Sequence, residues 1–266
     1  MNQTYLPASL KILVQGHECT RDAVGLSGSE VWLYEDRVLK IRPESRESVT
    51  EHRILCWLEG RLPAPRCMYH SVEDSKDYLL MSRIPGKMVC DEEYMRQENG
   101  RRAVAMMAEG LKRLWQVDVE QCPCQQRLPQ TLAVAEERIR SGQVSVEDAT
   151  PGVFGPGGFE NPWALLAWLR ENQPEEELVF SHGDYCLPNM FFEQGKLSGY
   201  IDLGNAGVAD RWEDITMAHR SLRYNFGGVF GGKVYEGFDP DWLFEALGMP
   251  KDEKKFRYYD LLHELY

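Results

Sequence analysis

The segments Ser181-His182-Gly183-Asp184-Tyr185-Cys186-Leu187-Pro188-Asn189-Met190-Phe191-Phe192 and Ile201-Asp202-Leu203-Gly204 decide how the rest of the chain is read. Leu178-Val179-Phe180 and Met190-Phe191-Phe192 are apolar runs of strand length separated by a polar turn, and a third run covers Leu197 to Leu203. Read as buried strands, they gather the Asp184 carboxylate, the Asn189 amide and the Asp202 carboxylate around one turn and the hairpin after it. Taken alone, each is an ordinary turn or hairpin residue. Together they suit phosphoryl transfer, in which one carboxylate accepts the proton of an attacking hydroxyl. An amide oxygen and a second carboxylate then hold Mg²⁺ against nucleotide phosphates.

Two charges upstream supply what that turn lacks. Lys40 sits inside Val38-Leu39-Lys40-Ile41, a strand in which a buried ammonium is costly unless it meets an anion. Glu51 shares a helical face with Ile54, Leu55 and Leu58, so its carboxylate is carried on the apolar side. A strand lysine paired with a glutamate on the next helix is the kinase arrangement for nucleotide phosphates; the alternative is two surface side chains with solvated tips.

Around these residues the pattern divides in two. Gly25 to Glu30 reads as a turn, Val31 to Tyr34 and Arg37 to Ile41 as a hairpin, and Tyr78 to Ser82 as a further strand. Ser45 or Ser48 caps a helix that reaches about Glu59 and stops at Gly60. Residues 1–84 are therefore expected to be mainly short strands with one helix, and Pro85-Gly86 is the candidate hinge. From Arg101, apolar residues recur at spacings of three and four, a glycine-rich surface loop covers Thr150 to Asn161, and a helix runs from Pro162 to about Asn172. The expected architecture is α+β, with a small antiparallel-sheet lobe at 1–84 and a larger, mainly helical lobe at 85–266.

Composition narrows the partners. Thirty basic against 42 acidic residues among 266 leave a net charge of −12, which repels nucleic-acid backbones and suits a cationic small molecule, although such a charge also serves solubility alone. No apolar run approaches the roughly 20 residues of a membrane-spanning helix. The opening residues lack a signal peptide's charged start and apolar segment. Seven unevenly spaced cysteines complete the expectation of a reducing cytoplasm. Cys122-Pro123-Cys124 has one intervening residue rather than two and reads as structural. His182 and Cys186 lack two further ligands for zinc. Gly227 to Lys233 imitates a phosphate loop but has Val234 where a metal-binding hydroxyl belongs.

HGDYCLPN with IDLGNAGVADRWEDI, together with PEEELVFSHGD and the closing LLHELY, strongly resembles the aminoglycoside 3′-phosphotransferases, bacterial antibiotic kinases, over nearly the whole chain. The resemblance implies a two-lobed protein-kinase-like fold with ATP and Mg²⁺ in the cleft. It makes Asp184 the catalytic base, Asn189 and Asp202 the metal ligands, and Lys40 with Glu51 the pair that orders the phosphates. It puts Ser27 in the loop over the phosphates, Met81, Ser82 and Ile84 in the adenine hinge, and Ile201 against the base. His182 and Asp214 become structural anchors of the catalytic loop.

Departures from the family pattern concern the acceptor. Pro151 and Phe154 fall where acids are expected, with Glu147 or Asp148 as substitutes from a shifted loop. Asn205 stands for an arginine, Tyr224 for an acid and His263 for an aspartate, which leaves Glu264 and the terminal carboxylate of Tyr266 as the matching anions. Val38 replaces an aromatic that stacks on adenine, so GTP stands beside ATP as a donor. The expected reaction is phosphorylation of an aminoglycoside at its 3′-hydroxyl. The alternatives are a kinase of another hydroxylated molecule, such as a macrolide or amino alcohol, and a non-catalytic kinase-like binding module.

Overall fold

The computed structural model describes residues 5–22, 29–229 and 233–266. Its elements are, in order, α1 (Ala8–Val14), β1 (Thr20–Arg21), β2 (Glu30–Leu33), β3 (Arg37–Pro43), α2 (Arg46–Leu58), β4 (Cys67–Glu73), β5 (Lys76–Ser82) and β6 (Lys87–Met88). These are followed by α3 (Gly100–Trp115), α4 (Leu128–Arg140), α5 (Pro162–Glu171), β7 (Leu178–Ser181), β8 (Met190–Glu193), β9 (Lys196–Tyr200), β10 (Gly207–Asp210), α6 (Arg211–Phe226), α7 (Trp242–Leu247) and α8 (Glu253–Leu262).

The N-terminal part is an antiparallel five-stranded sheet in the order β1-β2-β3-β5-β4. Strand side chains alternate between faces, and the alternation sorts this sheet's two cores. Leu79 and Met81 of β5 join Ile54, Leu55 and Leu58 of α2 in the main core. Tyr78 and Leu80, with Leu39 and Ile41 of β3, pack on the opposite face against Leu6, Leu10 and Val14. Lys40 lies between Leu39 and Ile41 and so points toward α2 rather than toward that second core. The starting cap of α2 is a reciprocal one. Ser45 Oγ accepts from the Ser48 N–H, and Ser48 Oγ accepts from the Ser45 N–H. Both serines read as candidate caps thus take part in the same cap.

Two expectations need correction here. The N-terminal segment was expected to be strand apart from α2, yet Ala8–Val14 is helical; Pro7 makes no side-chain cap, and docking of Leu10 and Val14 on the sheet holds the helix. The strand expected to run to Leu203 ends at Tyr200, and a 3₁₀ turn occupies Leu203–Asn205.

The C-terminal part is mainly helical. In α3 the residues Val104, Met107, Ala108, Leu111 and Leu114 are buried, as their spacing of three and four predicts, while Trp115 of the same pattern is half-buried against the core. Gly110 has a steric reason: a Cβ there would lie 2.2 Å from the Tyr185 hydroxyl and from Met190 Cε. Without one, Tyr185 donates to the Met107 carbonyl at 2.7 Å and Tyr200 to the Gly110 carbonyl at 2.8 Å, which fastens the chemistry-bearing turn to α3. Strands β8 and β9 form the expected hairpin, with β6 on its outer edge. Strand β7 pairs with β10, which the sequence pattern did not reveal. Among the described residues no helix is long and apolar enough to cross a membrane. All seven cysteines are free thiols.

Candidate active site

The turn after β7 is built on a buried carboxylate. Asp214 is fully buried on α6; its Oδ2 accepts the His182 N–H at 2.8 Å and its Oδ1 the Gly183 N–H at 2.9 Å. Burial pushes this carboxyl up to about 7, against the pull of those two donors. Gly183 adopts φ +75°, and a Cβ on it would lie 2.1 Å from the Asn205 carbonyl oxygen, so this position requires glycine.

His182 reinforces the turn from the other side. Its Nδ1 accepts from the Asp184 N–H at 3.3 Å, and its Nε2 is 2.9 Å from the Ile201 carbonyl. An amide N–H only donates and a carbonyl only accepts, which assigns the proton to Nε2 of a neutral ring. Burial lowers the imidazole pKa further, ahead of the opposing charges of Asp184 and Asp202. An imidazole whose folded pKa lies below its unfolded value of about 6.5 contributes fully above that pH. That contribution is lost as pH falls, because the unfolded chain takes the proton first. Wild type is therefore expected to lose more thermal stability than His182→Gln between about pH 7.5 and 5.5, by at most about 1.4 kcal/mol per pH unit. Parallel melting curves at the two pH values check this; equal losses would refute the buried neutral ring.

Asp184 is partly buried at the mouth of the turn. A 3₁₀ turn at Leu187–Asn189 brings Asn189 beside it, and Asn189 Nδ2 donates to the Asp184 carbonyl at 3.0 Å and to Asp184 Oδ2 at 2.9 Å. With Nδ2 so used, the amide oxygen is the atom left to face a cation. Asp202 follows β9 in the left-handed region at φ +59°, and its carboxylate accepts from the Lys40 ammonium. Lys40 Nζ also donates to Glu51 Oε1 at 2.9 Å, and Arg42 Nη1 lies 2.7 Å from the other Glu51 oxygen. Burial alone would lower the Lys40 pKa, but the Glu51 and Asp202 carboxylates more than offset it and the ammonium is held above its ordinary range. Burial likewise opposes ionisation of Asp202, and Lys40 reverses the balance, leaving its carboxyl below the usual range. The Asp202 side chain is 47% exposed, so its carboxylate remains reachable from solvent.

Beside Asp184 opens a cavity of about 240 Å³ between α2, α4, α6 and the C-terminus. Of the residues expected near an acceptor, Asp184, Asn205, His263 and Tyr266 line it. Glu264 does not fit its expected role as a free anion. It is buried, accepts from the Thr150 N–H at 2.9 Å and the Thr150 hydroxyl at 2.7 Å, and pairs with Arg220. Two carboxylates not singled out beforehand, Glu47 and Glu213, line the cavity instead. His263 Nε2 is 2.8 Å from Glu213 Oε1, and the Tyr266 hydroxyl donates to the Thr131 carbonyl. Glu213 was hidden by its neighbour: Asp214 points into the turn, and one residue along a helix turns a side chain by about 100°.

The expected hinge residues lie at the end of β5. Met81 is buried; Ser82 exchanges hydrogen bonds with the Arg66 backbone at 2.8 and 2.9 Å; and the Ile84 side chain packs over Gly199. The Ile201 N–H donates to the Asn189 carbonyl at 3.0 Å, joining the two halves of the site. Ser27, expected over the phosphates, lies outside the described residues, as do residues 230–232 of the glycine-rich Gly227 to Lys233 segment.

The model of the phosphotransferase enzyme family matches residues 18–247. An aminoglycoside 3′-phosphotransferase from Enterococcus faecalis is 32% identical over 280 residues, covering all of both chains. The chain belongs to the aminoglycoside 3′-phosphotransferase family. A further member, from Niallia circulans, is 35% identical across 98% of this chain and 97% of its own. The crystal structure of an aminoglycoside 3′-phosphotransferase of type VIII superposes with a TM-score of 0.77 at 24% identity, covering 97% of each chain. That likeness bears out the two-lobed kinase-like architecture expected from the sequence.

Proposed function

We propose that this protein transfers the γ-phosphoryl group of ATP to the 3′-hydroxyl of an aminoglycoside. The observation that carries the reading is the position of Asp184. It lines the cavity together with Glu47 and Glu213, and hydrogen bonds through Asn189 and His182 tie it to Ile201, the residue before Asp202, the partner of Lys40. On this reading the nucleotide binds between the 1–84 and 85–266 lobes with its base beside Met81, Ser82, Ile84 and Ile201.

Lys40, fixed by Glu51, neutralises phosphate oxygens, and Asp184 orients the acceptor hydroxyl and takes its proton as the oxygen attacks phosphorus. The Asn189 amide holds the Asp184 carboxylate in one orientation. Mg²⁺, when bound, neutralises charge on the phosphates. The half-exposed Asp202 carboxylate and the Asn189 amide oxygen are hard oxygen donors that fit it. The protonated amines of an aminoglycoside find carboxylates in Glu47 and Glu213, and Asn205, His263 and Tyr266 complete the acceptor wall. Free thiols throughout the chain agree with action in a reducing cytoplasm.

ADP release measured with MgATP tests the acceptor class. Aminoglycosides are expected to raise the rate by at least about tenfold, and macrolides and simple amino alcohols are not, because only the first offers several amines and hydroxyls in one rigid body. Stimulation by a macrolide alone would replace the acceptor, and no stimulation by any would favour a non-catalytic module.

A further inference from the structure

His52 and Cys56 occupy positions i and i+4 of α2 and so lie above one another on the same helix face. Cys67 begins β4, and the imidazole nitrogen and the two sulfurs all come within 4.8 Å of one another. Among the described residues this is the group of His, Cys, Asp or Glu side chains whose ligand atoms converge in that way. The orientation of His52 is set from outside. Its ring stacks on His70 with centroids 3.7 Å apart and planes 14° from parallel. His70 Nε2 in turn lies 2.7 Å from Oδ1 of the fully buried Asp77.

We propose that His52, Cys56 and Cys67 form a binding site for a thiophilic divalent cation of the zinc type, bridging α2 and β4. One nitrogen and two sulfur donors select such an ion over Mg²⁺ or Ca²⁺, which take oxygen. Tetrahedral zinc places its ligand atoms about 3.3–3.8 Å apart. The ligand atoms already lie within 4.8 Å of one another, so closing to that spacing asks for no more than a small side-chain rotation, and Cys56 is exposed and provides both the freedom and the access path. Each thiol gives its proton to solvent as it coordinates, so two protons leave per ion, and a water completes the fourth position. Because Glu51 immediately precedes His52, an ion held here would also fix the helix that carries the partner of Lys40.

The test uses the full, reduced, metal-free chain with Co²⁺ as the probe. One Co²⁺ per chain is expected to produce sulfur-to-cobalt charge-transfer absorption that Zn²⁺ displaces. The absorption should vanish in Cys56→Ser and in Cys67→Ser, weaken in apparent affinity by at least tenfold in His52→Ala, and persist in Cys90→Ser. As a readout free of substitution, Zn²⁺ should protect Cys56 and Cys67 of wild type from iodoacetamide and leave Cys19 and Cys90 reactive at their metal-free rates. The proposal is overturned by cobalt absorption that survives either cysteine variant, or by the absence of stoichiometric binding. It is equally overturned by thiols that take up no metal but close into a Cys56–Cys67 disulfide with oxidised glutathione.

Discussion

Asp184→Ala is expected to lower kcat by about 10³-fold while changing nucleotide affinity by less than about threefold. The asymmetry follows from its contacts. The Asp184 carboxylate is held by Asn189 and faces the acceptor cavity, whereas the groups assigned to the phosphates, Lys40 and Glu51, pair with each other without it. Its removal leaves the turn anchored, because the N–H groups that hold the turn belong to His182 and Gly183 and end on Asp214. Single-turnover phosphoryl transfer together with equilibrium binding of an ATP analogue separates the two quantities. Retained turnover would remove Asp184 as the base; a parallel collapse of nucleotide binding would make it part of the phosphate site instead.

Asp202→Asn is expected to cost about 10²- to 10³-fold in kcat and to raise the Mg²⁺ concentration for half-maximal activity at least tenfold, the order found when one preorganised electrostatic partner is lost. Asparagine is the informative replacement because it tolerates the left-handed backbone found at position 202, where alanine would add strain. The change removes a charge and preserves shape, and Lys40 keeps Glu51 as its counterion. Titration of activity with Mg²⁺ in both proteins checks the result, and an unchanged metal dependence would contradict the ligand assignment.

Much of this arrangement was legible because local chemistry and tertiary structure agree. Ser45 and Ser48 mark the start of α2 by the same hydrogen bonds that close it. Alternation along β3 puts Lys40 on the face opposite Leu39 and Ile41, which makes its pairing with Glu51 a consequence of the pleat. The carboxylates and amide of the candidate site lie close in sequence, in the connections just before and just after the β8–β9 hairpin. What escaped depends on contacts between distant segments. α1 has no side-chain cap and exists through its docking. β10 is four residues long and is defined by pairing with β7. Glu264 was read as an available anion, but Arg220 and Thr150, 44 and 114 residues away, consume its carboxylate. Glu213 took no role until α6 turned it toward the cavity while its neighbour Asp214 went into the core. The His52, Cys56 and Cys67 group escaped for the same reason, since a helix face and a strand terminus supply its ligands together.

The kinase assignment and the acceptor assignment meet at one bond, between the γ-phosphorus and the acceptor oxygen. ³¹P and proton NMR of the product made from MgATP and an aminoglycoside bearing a 3′-hydroxyl tests both together. The expected result is one phosphomonoester coupled to the proton at C3′, with no phosphorylated product from the corresponding 3′-deoxy compound. Phosphate on another hydroxyl, equal phosphorylation of the 3′-deoxy compound, or ADP formed with only inorganic phosphate would contradict it.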